Sequence, residues 1–409
     1  MVSVFMGQYE DPMIGGMGTT SAADDDRNNS YRVAVVHSFY SSGVPSGENV
    51  VVQQQADALR RAGYSVEVFA QRTDDRERSR LYPLEAALTA ATGRGPSPQR
   101  LSDFNPDIIH VHNLFPNYGK QWLVESVAPV ISSLHNYRPM CAAGTFYRDG
   151  KVCTDCPDSK SSLPAVQHGC YRGRIASVPV ALGQKFERDP FLAEASAIVA
   201  LSGQMSSTYA SYGVPPERLH VLPHFLPDAL DGGAGSGGDY WLYGGRLSHE
   251  KGILPLVQEW PSERPLLIAG QGELEAEVTA ASKGKNVRML GAVMRDHLMD
   301  LMRGAVGVVF PSRCLEGFGL VYMEALAAGT PVLAWEPSVV ASFIREDSTG
   351  AVVSGALAGA LEAADTSFPS MRSHCRDVFE RRYRETPWVE GIRGIYDTAY
   401  GLKHSGSPS

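Results

Sequence analysis

Short apolar runs rich in β-branched residues recur along this chain, each followed by a loop and a helix-length segment, and they come in two series. The first comprises Arg32–Ser38 (RVAVVHS), Ser65–Ala70, Asp107–His112, Pro129–His135 and Ala197–Ser202. The second comprises Asp239–Gly245 (DYWLYGG), Pro265–Gly270, Asn286–Gly291, Val306–Ser312 and Thr330–Trp335. Runs of this kind are strands buried on both faces. The helix-length segments between them make the strands parallel, because parallel neighbours need a long crossover. Between the series, Leu222–Asp239 loses its periodicity and becomes a Pro-bounded, Gly-rich stretch unsuited to a core. The expectation is an α/β chain of two doubly wound, Rossmann-like domains facing across a deep cleft. The domains are placed at 31–222 and 239–386, joined by a linker at 223–238, with a helix at 387–402 packing back on the first domain. Ligands of such sheets sit outside the carboxyl ends of the strands. Function is therefore to be sought in the loops that follow the runs.

At roughly 150 residues per domain, 409 residues accommodate this division. With 43% hydrophobic and 20% charged residues, the chain can bury enough apolar surface to fold without a partner. The 37 basic and 45 acidic residues leave a net charge of −8. Half of that excess lies in Met1–Ser30, which holds Glu10, Asp11, Asp24, Asp25 and Asp26 against Arg27 and shows no apolar period. We read 1–30 as a disordered tail. No basic stripe is available for counterion release, which excludes nucleic acid as a partner class. No apolar run approaches the roughly 18 to 20 residues that cross a bilayer, and the N-terminus lacks the order of a signal peptide. The expected location is cytoplasmic with no transmembrane segment, and the abundance of Ala, Gly and Arg suits a high-GC bacterial genome.

Six cysteines are too few for a disulfide scaffold, yet Cys141, Cys153, Cys156 and Cys170 crowd into one excursion at about 137–172. That stretch is rich in turn formers and poor in apolar residues, so it calls for a staple. We expect one structural metal site, zinc, with Cys153-x-x-Cys156 as a knuckle-like pair and His168 as a substitute ligand. Two disulfides, or four free thiols, are the alternatives.

The most specific motif is SRCLEGFGLVYMEALAAGTPVLA, Ser312–Ala334. It follows a strand, and its Gly317 and Gly319 flank Phe318, letting backbone amides and a helix N-terminus approach an anion such as a diphosphate. Glu316 and Glu324 lie about two turns apart and can reach one ligand. Two glutamates on a helix are as often a solvated face, but the apolar MEALAAG around Glu324 argues against that. A second turn, YGGRLSHEKG, sets Gly245, Arg246 and Lys251 beside free amides, as a pyrophosphate requires. A third, AGQGELEAEV, contains Gly272 and is weak alone. In the first series, His135 closes its strand. His110 and His112 share one strand face, with His112 and Asn113 at the carboxyl end and His110 read as a buried, hydrogen-bonded residue.

With these motifs, Tyr31 to about Leu402 resembles the retaining nucleotide-sugar glycosyltransferases of family 4, which have the GT-B architecture. The Glu-x7-Glu spacing of Glu316 and Glu324 carries most of the resemblance, and Arg246 with Lys251 comes next. The resemblance implies that Glu316 and the amides around Phe318, Gly319 and Leu320 hold the donor sugar, with Glu324 on the ribose. It implies Arg246 and Lys251 on the diphosphate beside Gly245, and Gly272 and Val293 beside the base. His135 matches the family histidine that faces the donor sugar, so His135, Arg246, Lys251 and Glu316 are the implied catalytic set. Where the family has a Gly-Gly turn, Ser42–Asn49 offers only Gly43 and Gly47, with Gly47 on the donor side and Glu48, His112 and Asn113 towards the acceptor. The implied reaction passes a sugar from a UDP- or GDP-sugar to a hydroxyl of a small molecule or glycan. A front-face mechanism has the leaving phosphate take the acceptor's proton and uses no catalytic cofactor. The only Asp-x-Asp, Asp24–Asp26, lies in the tail, so no metal at the diphosphate is indicated. A GT-B epimerase or phosphorylase, or a silent GT-B nucleotide-sugar binder or scaffold, is the alternative.

Overall fold

The computed structural model describes residues 31–41 and 47–405, so the tail reading and most of the turn at 42–46 lie outside the described residues. The first domain is built on a six-stranded sheet: β1 (Arg32–Phe39), β2 (Ser65–Arg72), β3 (Ile108–Asn113), β4 (Val130–Ser133), β7 (Ala195–Ala200) and β8 (Leu219–Val221). Their order is β2-β1-β3-β4-β7-β8, all parallel. β5 (Tyr147–Arg148) and β6 (Lys151–Val152) form a separate antiparallel hairpin in the Cys-rich excursion. β1 shows why its run is continuously apolar. Val33 and Val35 join one core cluster and Ala34 and Val36 another, so both faces of the strand are covered.

The strands of the second sheet are β9 (Tyr240–Gly244), β10 (Leu266–Ala269), β11 (Val287–Gly291), β12 (Ala305–Phe310), β13 (Val332–Ala334) and β14 (Gly350–Val352). Their order is β11-β10-β9-β12-β13-β14, again all parallel. In each sheet the strand order reverses once, between β1 and β3 and between β9 and β12, and a crevice opens at such switch points. Two parallel-sheet Rossmann-like domains in this arrangement are the GT-B fold. The edge strands β8 and β14, three residues each and only partly buried, were not legible in the sequence, whereas the equally short but fully buried β13 was.

The helices that matter for the site are α1 (Gly47–Arg61), α2 (Arg174–Gly183), α3 (Ile253–Glu259), α4 (Arg295–Arg303), α5 (Leu320–Ala327), α6 (Leu357–Arg382) and α7 (Glu385–Ser405). α6 leaves the second domain and α7 crosses to the first, where Trp388, Ile392 and Tyr396 pack with Val33, Val35 and Leu59. No helix among the described residues is long and apolar enough to cross a membrane.

The stretch read as a linker unable to pack is corrected in its first part. His224, Phe225 and Leu226 are buried. The Leu226 amide donates to Tyr383 O at 2.9 Å, and Asp231 pairs with Arg376 at 2.6 Å and Arg384 at 3.0 Å. Prolines kept these residues from showing a periodic pattern, but their side chains still fill the seam between α7 and the cleft.

Candidate functional site

Between the two sheets lies a cavity of about 710 Å³, lined by Glu48, His135, Arg246, Lys251, Glu316 and the glycine turns of the second domain. On the second-domain wall, Lys251 Nζ stands 2.8 Å from Glu316 Oε2, and the Ser312 hydroxyl donates to Glu316 Oε1. Burial works against the charge of Lys251, but Glu316, Cys314 and Glu250 together outweigh it and hold the ammonium above its ordinary range. The two loops are tied by the Arg313 amide, which donates to Glu250 O at 2.8 Å. Arg246 is exposed on this wall. Gly270 is required by close approach, because a Cβ there would overlap the Gly245 carbonyl oxygen. Gly319, at φ 88°, is the N-cap of α5 and has no side chain to cap it, and Leu320 and Val321 at the head of that helix line the cavity.

Glu324 departs from the reading. It is 6% exposed, does not line the cavity, and pairs with Arg295 of α4 at 2.8 Å. Burial pushes its carboxyl up and Arg295 pulls it down, leaving it raised. Arg295 was missed because it stands 29 positions earlier, in a helix whose sequence reads as a solvated face.

On the facing side, His135 and His224 line the cavity with Gly47, Glu48, Val51 and Leu201, and a row of buried histidines continues from them into the first domain. His112 Nδ1 and His135 Nε2 are 3.0 Å apart. His110 stacks on His112 at 4.3 Å between centroids, and His135 stacks on His224 at 5.5 Å. His37 meets His112 edge-on at 6.3 Å. Of these five, His37 and His224 were missed in the sequence, and no local signal marks either. His110 bonds Tyr396 Oη at 2.7 Å and Ser133 Oγ at 2.8 Å, which makes it a satisfied core residue. Burial lowers every one of these imidazoles, His37 to about 4 and His110 and His224 to about 3. His112 and His135 fall well below the usual range, with neighbouring histidines adding to the effect of burial.

Glu48, at the start of α1, also lines the cavity, and its Oε1 is buried without a hydrogen-bond partner among the described residues. Burial pushes its carboxyl up to about 7 against the opposing pull of Arg138 and Asn113. Arg138 was not singled out in the sequence. It stacks on Phe115 at 4.5 Å, and its Nη1 donates to Ala142 O at 2.8 Å. His112 and Asn113 do not reach the main cavity; with Arg138 they line a side cavity of about 40 Å³ behind His135. Asn113 Nδ2 donates to Tyr40 Oη at 2.9 Å. Gly47, Gly245, Gly272, Val293, Gly317, Phe318, Gly319 and Leu320 all line the main cavity. A Cβ on Gly317 would stand 3.1 Å from His135 O, so the two walls already touch beside the cavity.

The four excursion cysteines line one small cavity of about 20 Å³ and are all free. Among the described residues, however, no group of three His, Cys, Asp or Glu could hold a metal ion, and His168 is exposed. Cys156 packs with Ala142, Ala165, Val180 and Ala181 as a small apolar residue, and burial pushes its thiol up to about 12. α2, just beyond the excursion, supplies Val180 and Ala181, apolar surface that the excursion lacks within itself.

Two Rossmann-like parallel-sheet domains with a cavity between them define a GT-B protein. Two family models tile the chain in succession: Glycosyltransferase Family 4 over residues 45–229 and Glycosyl transferases group 1 over residues 232–383. The chain belongs with the GT-B glycosyltransferases. It is 25% identical over 362 residues to a D-inositol 3-phosphate glycosyltransferase 1 of Catenulispora acidiphila, covering 76% of this chain and 80% of that one. Alignments to two other curated glycosyltransferases reach 36% and 30% identity but span only 30% and 41% of those proteins. Among solved structures, the sucrose-phosphate synthase of Thermosynechococcus elongatus superposes with a TM-score of 0.65 at 18% identity, covering 91% of this chain and all of that one. Anabaena HepE, solved in complex with UDP and glucose, gives 0.55 at 16% identity, covering 90% of this chain and all of that one.

Proposed function

We propose that this protein is a retaining glycosyltransferase that transfers a sugar from a UDP- or GDP-sugar to an acceptor hydroxyl. The observation that carries this reading is the Lys251–Glu316 pair, 2.8 Å apart, in a cavity that also holds Arg246, the glycine turns and, from the other domain, His135. Arg246, Lys251 and the amides opening α5 would offset the negative charge that grows on the leaving diphosphate. Glu316 would hold the donor sugar and keep Lys251 in place until a phosphate takes over its charge. His135 would meet the sugar from the opposite wall. In a front-face reaction the acceptor hydroxyl attacks on the leaving-group side and passes its proton to the departing phosphate oxygen, so no protein nucleophile is needed. The HepE complex with UDP and glucose supports a nucleotide-sugar donor for this fold. For Glu324 to bind the ribose, Arg295 must release it. Glu48, with its unpartnered oxygen, would receive the acceptor hydroxyl, with Arg138 and Asn113 fixing its position.

Nucleotide release from a panel of UDP- and GDP-sugars, with the anomeric configuration of the product read by NMR, tests the reading. A sugar nucleotide that raises the melting temperature but is never cleaved would make the chain a silent binder. An inverted anomer would remove the front-face route.

A further inference from the structure

The bond between His112 and His135 has a direction that the surrounding contacts reveal. Burial keeps both rings neutral, so each carries one proton, and between Nδ1 of His112 and Nε2 of His135 only one nitrogen can donate. His112 Nε2 is buried with no hydrogen-bond partner among the described residues. If His135 donated from Nε2, His112 would have to carry its proton on that unpartnered Nε2, leaving a buried N–H unmet. If His112 donates from Nδ1, the unmet group is a lone pair, and orphaned buried N–H groups are the rarer of the two in folded proteins. His37, in the same array, shows the same preference. Its Nε2 lies 3.1 Å from the carbonyl oxygen Oδ1 of Asn49, which only accepts, so its own unpartnered Nδ1 is a lone pair.

We propose that His112 is a positioning residue that locks His135 as the Nδ1–H tautomer, so that the ring presents a hydrogen-bond donor, not an acceptor, to whatever binds the cleft. With Nε2 engaged by His112, Nδ1 is the ring nitrogen left for a ligand. The matching ligand group is an acceptor: a sugar hydroxyl oxygen or ring oxygen, or an oxygen of the leaving phosphate. His224 stacks on the other side of His135 and bonds the Gln55 amide at 3.3 Å, so the ring is held from both sides. This inference rests on the glycosyltransferase reading for its consequence in turnover, but not for the tautomer itself.

The tautomer is read directly from the imidazole nitrogen shifts of ¹⁵N-histidine-labelled protein, with His135→Asn used to identify the signal. A protonated Nδ1 and unprotonated Nε2 at neutral pH is the expected result, and the reverse assignment overturns the proposal even if the protein turns over sugar nucleotides. Conversely, a protein that cleaves no sugar nucleotide would defeat the functional reading and leave the NMR result standing. The kinetic arm compares His112→Asn, whose amide can donate to His135, with His112→Asp, which can only accept and forces the proton onto Nε2. We expect the Asn variant within about threefold of the parent. The Asp variant should lose about tenfold or more in kcat, with donor KM changed much less. Equal activity of the parent and Asp variants would sink the proposal. Should the Asp variant fail to fold, the tautomer in the parent and in His112→Asn decides the matter.

Discussion

The two walls of the cleft are built from opposite materials. The second-domain wall holds formal charges, the Lys251–Glu316 pair and Arg246, set among glycine turns, with a further pair, Arg295 and Glu324, outside the cavity's lining. The first-domain wall holds His135 and His224, backed by a line of buried, neutral histidines, and one carboxyl, Glu48, raised to about 7. Charge thus gathers where an anionic diphosphate would lie, while the facing wall offers neutral hydrogen-bonding groups suited to hydroxyls. A preorganised cation stabilises developing charge without reorganisation. A charged imidazole on the opposite wall would compete for the same phosphate.

The largest expected effect tests this division on the charged side. Lys251→Ala or Glu316→Gln should lower turnover about tenfold or more, since losing a contact made in the transition state costs on the order of 1.4 kcal/mol per factor of ten. Circular dichroism should show both variants folded. Unchanged turnover in both would move the chemistry away from that wall.

The neutral side should reveal itself in acid. Each histidine is depressed in the folded state, so the unfolded chain binds more protons below the ordinary histidine pKa of about 6.5. Stability should be full above that pH and fall progressively towards pH 4, where His37 begins to protonate in place. Each differential proton contributes about 1.4 kcal/mol per pH unit. Glu48 acts in the opposite sense, because its raised pKa makes the folded state the better proton binder between about 4.5 and 7, and the raised carboxyls of Glu324, Glu346 and Asp397 act with it, so four carboxyls oppose six lowered histidines, His220 being the sixth. A melting temperature constant from pH 7 to 4 would mean that the histidines are not buried as a neutral array.

A smaller effect should appear in the pH profile of transfer. If the Glu48 carboxylate receives the acceptor hydroxyl, kcat/KM for the acceptor should rise as pH increases through about 7. Glu48→Gln should abolish that limb while leaving slow hydrolysis of the donor nearly untouched. A limb that survives the substitution assigns the titration to another group. The smallest effect concerns closure. Because Gly317 already abuts His135 O, nucleoside diphosphate should change the radius of gyration little. Marked compaction in solution scattering would show that the walls stand apart without ligand.

How well each wall could be read from the sequence follows from how it is assembled. Gly245, Arg246 and Lys251 lie within seven residues, and Glu316 to Leu320 within five, so their chemistry is visible as contiguous turn motifs. The histidine wall draws on β1, β3, the end of β4 and the stretch after β8, and no spacing in the chain announces that His37, His112, His135 and His224 meet. The excursion is legible in part for a related reason: its cysteines are close in sequence and meet at one small cavity, but its core is completed by Val180 and Ala181 of α2, whose contribution appears only once the chain has folded.

By itself, the sequence determined the alternation of strands and helices, the two-domain division and the glycine turns at the strand ends, because apolar periodicity and turn chemistry are properties of neighbouring residues. Only the tertiary structure decided the partner of Glu324, the neutrality of the histidines and the direction of the His112–His135 bond. Each depends on burial and on contacts between residues far apart in the chain, which exist only when the sheets have closed around the cleft.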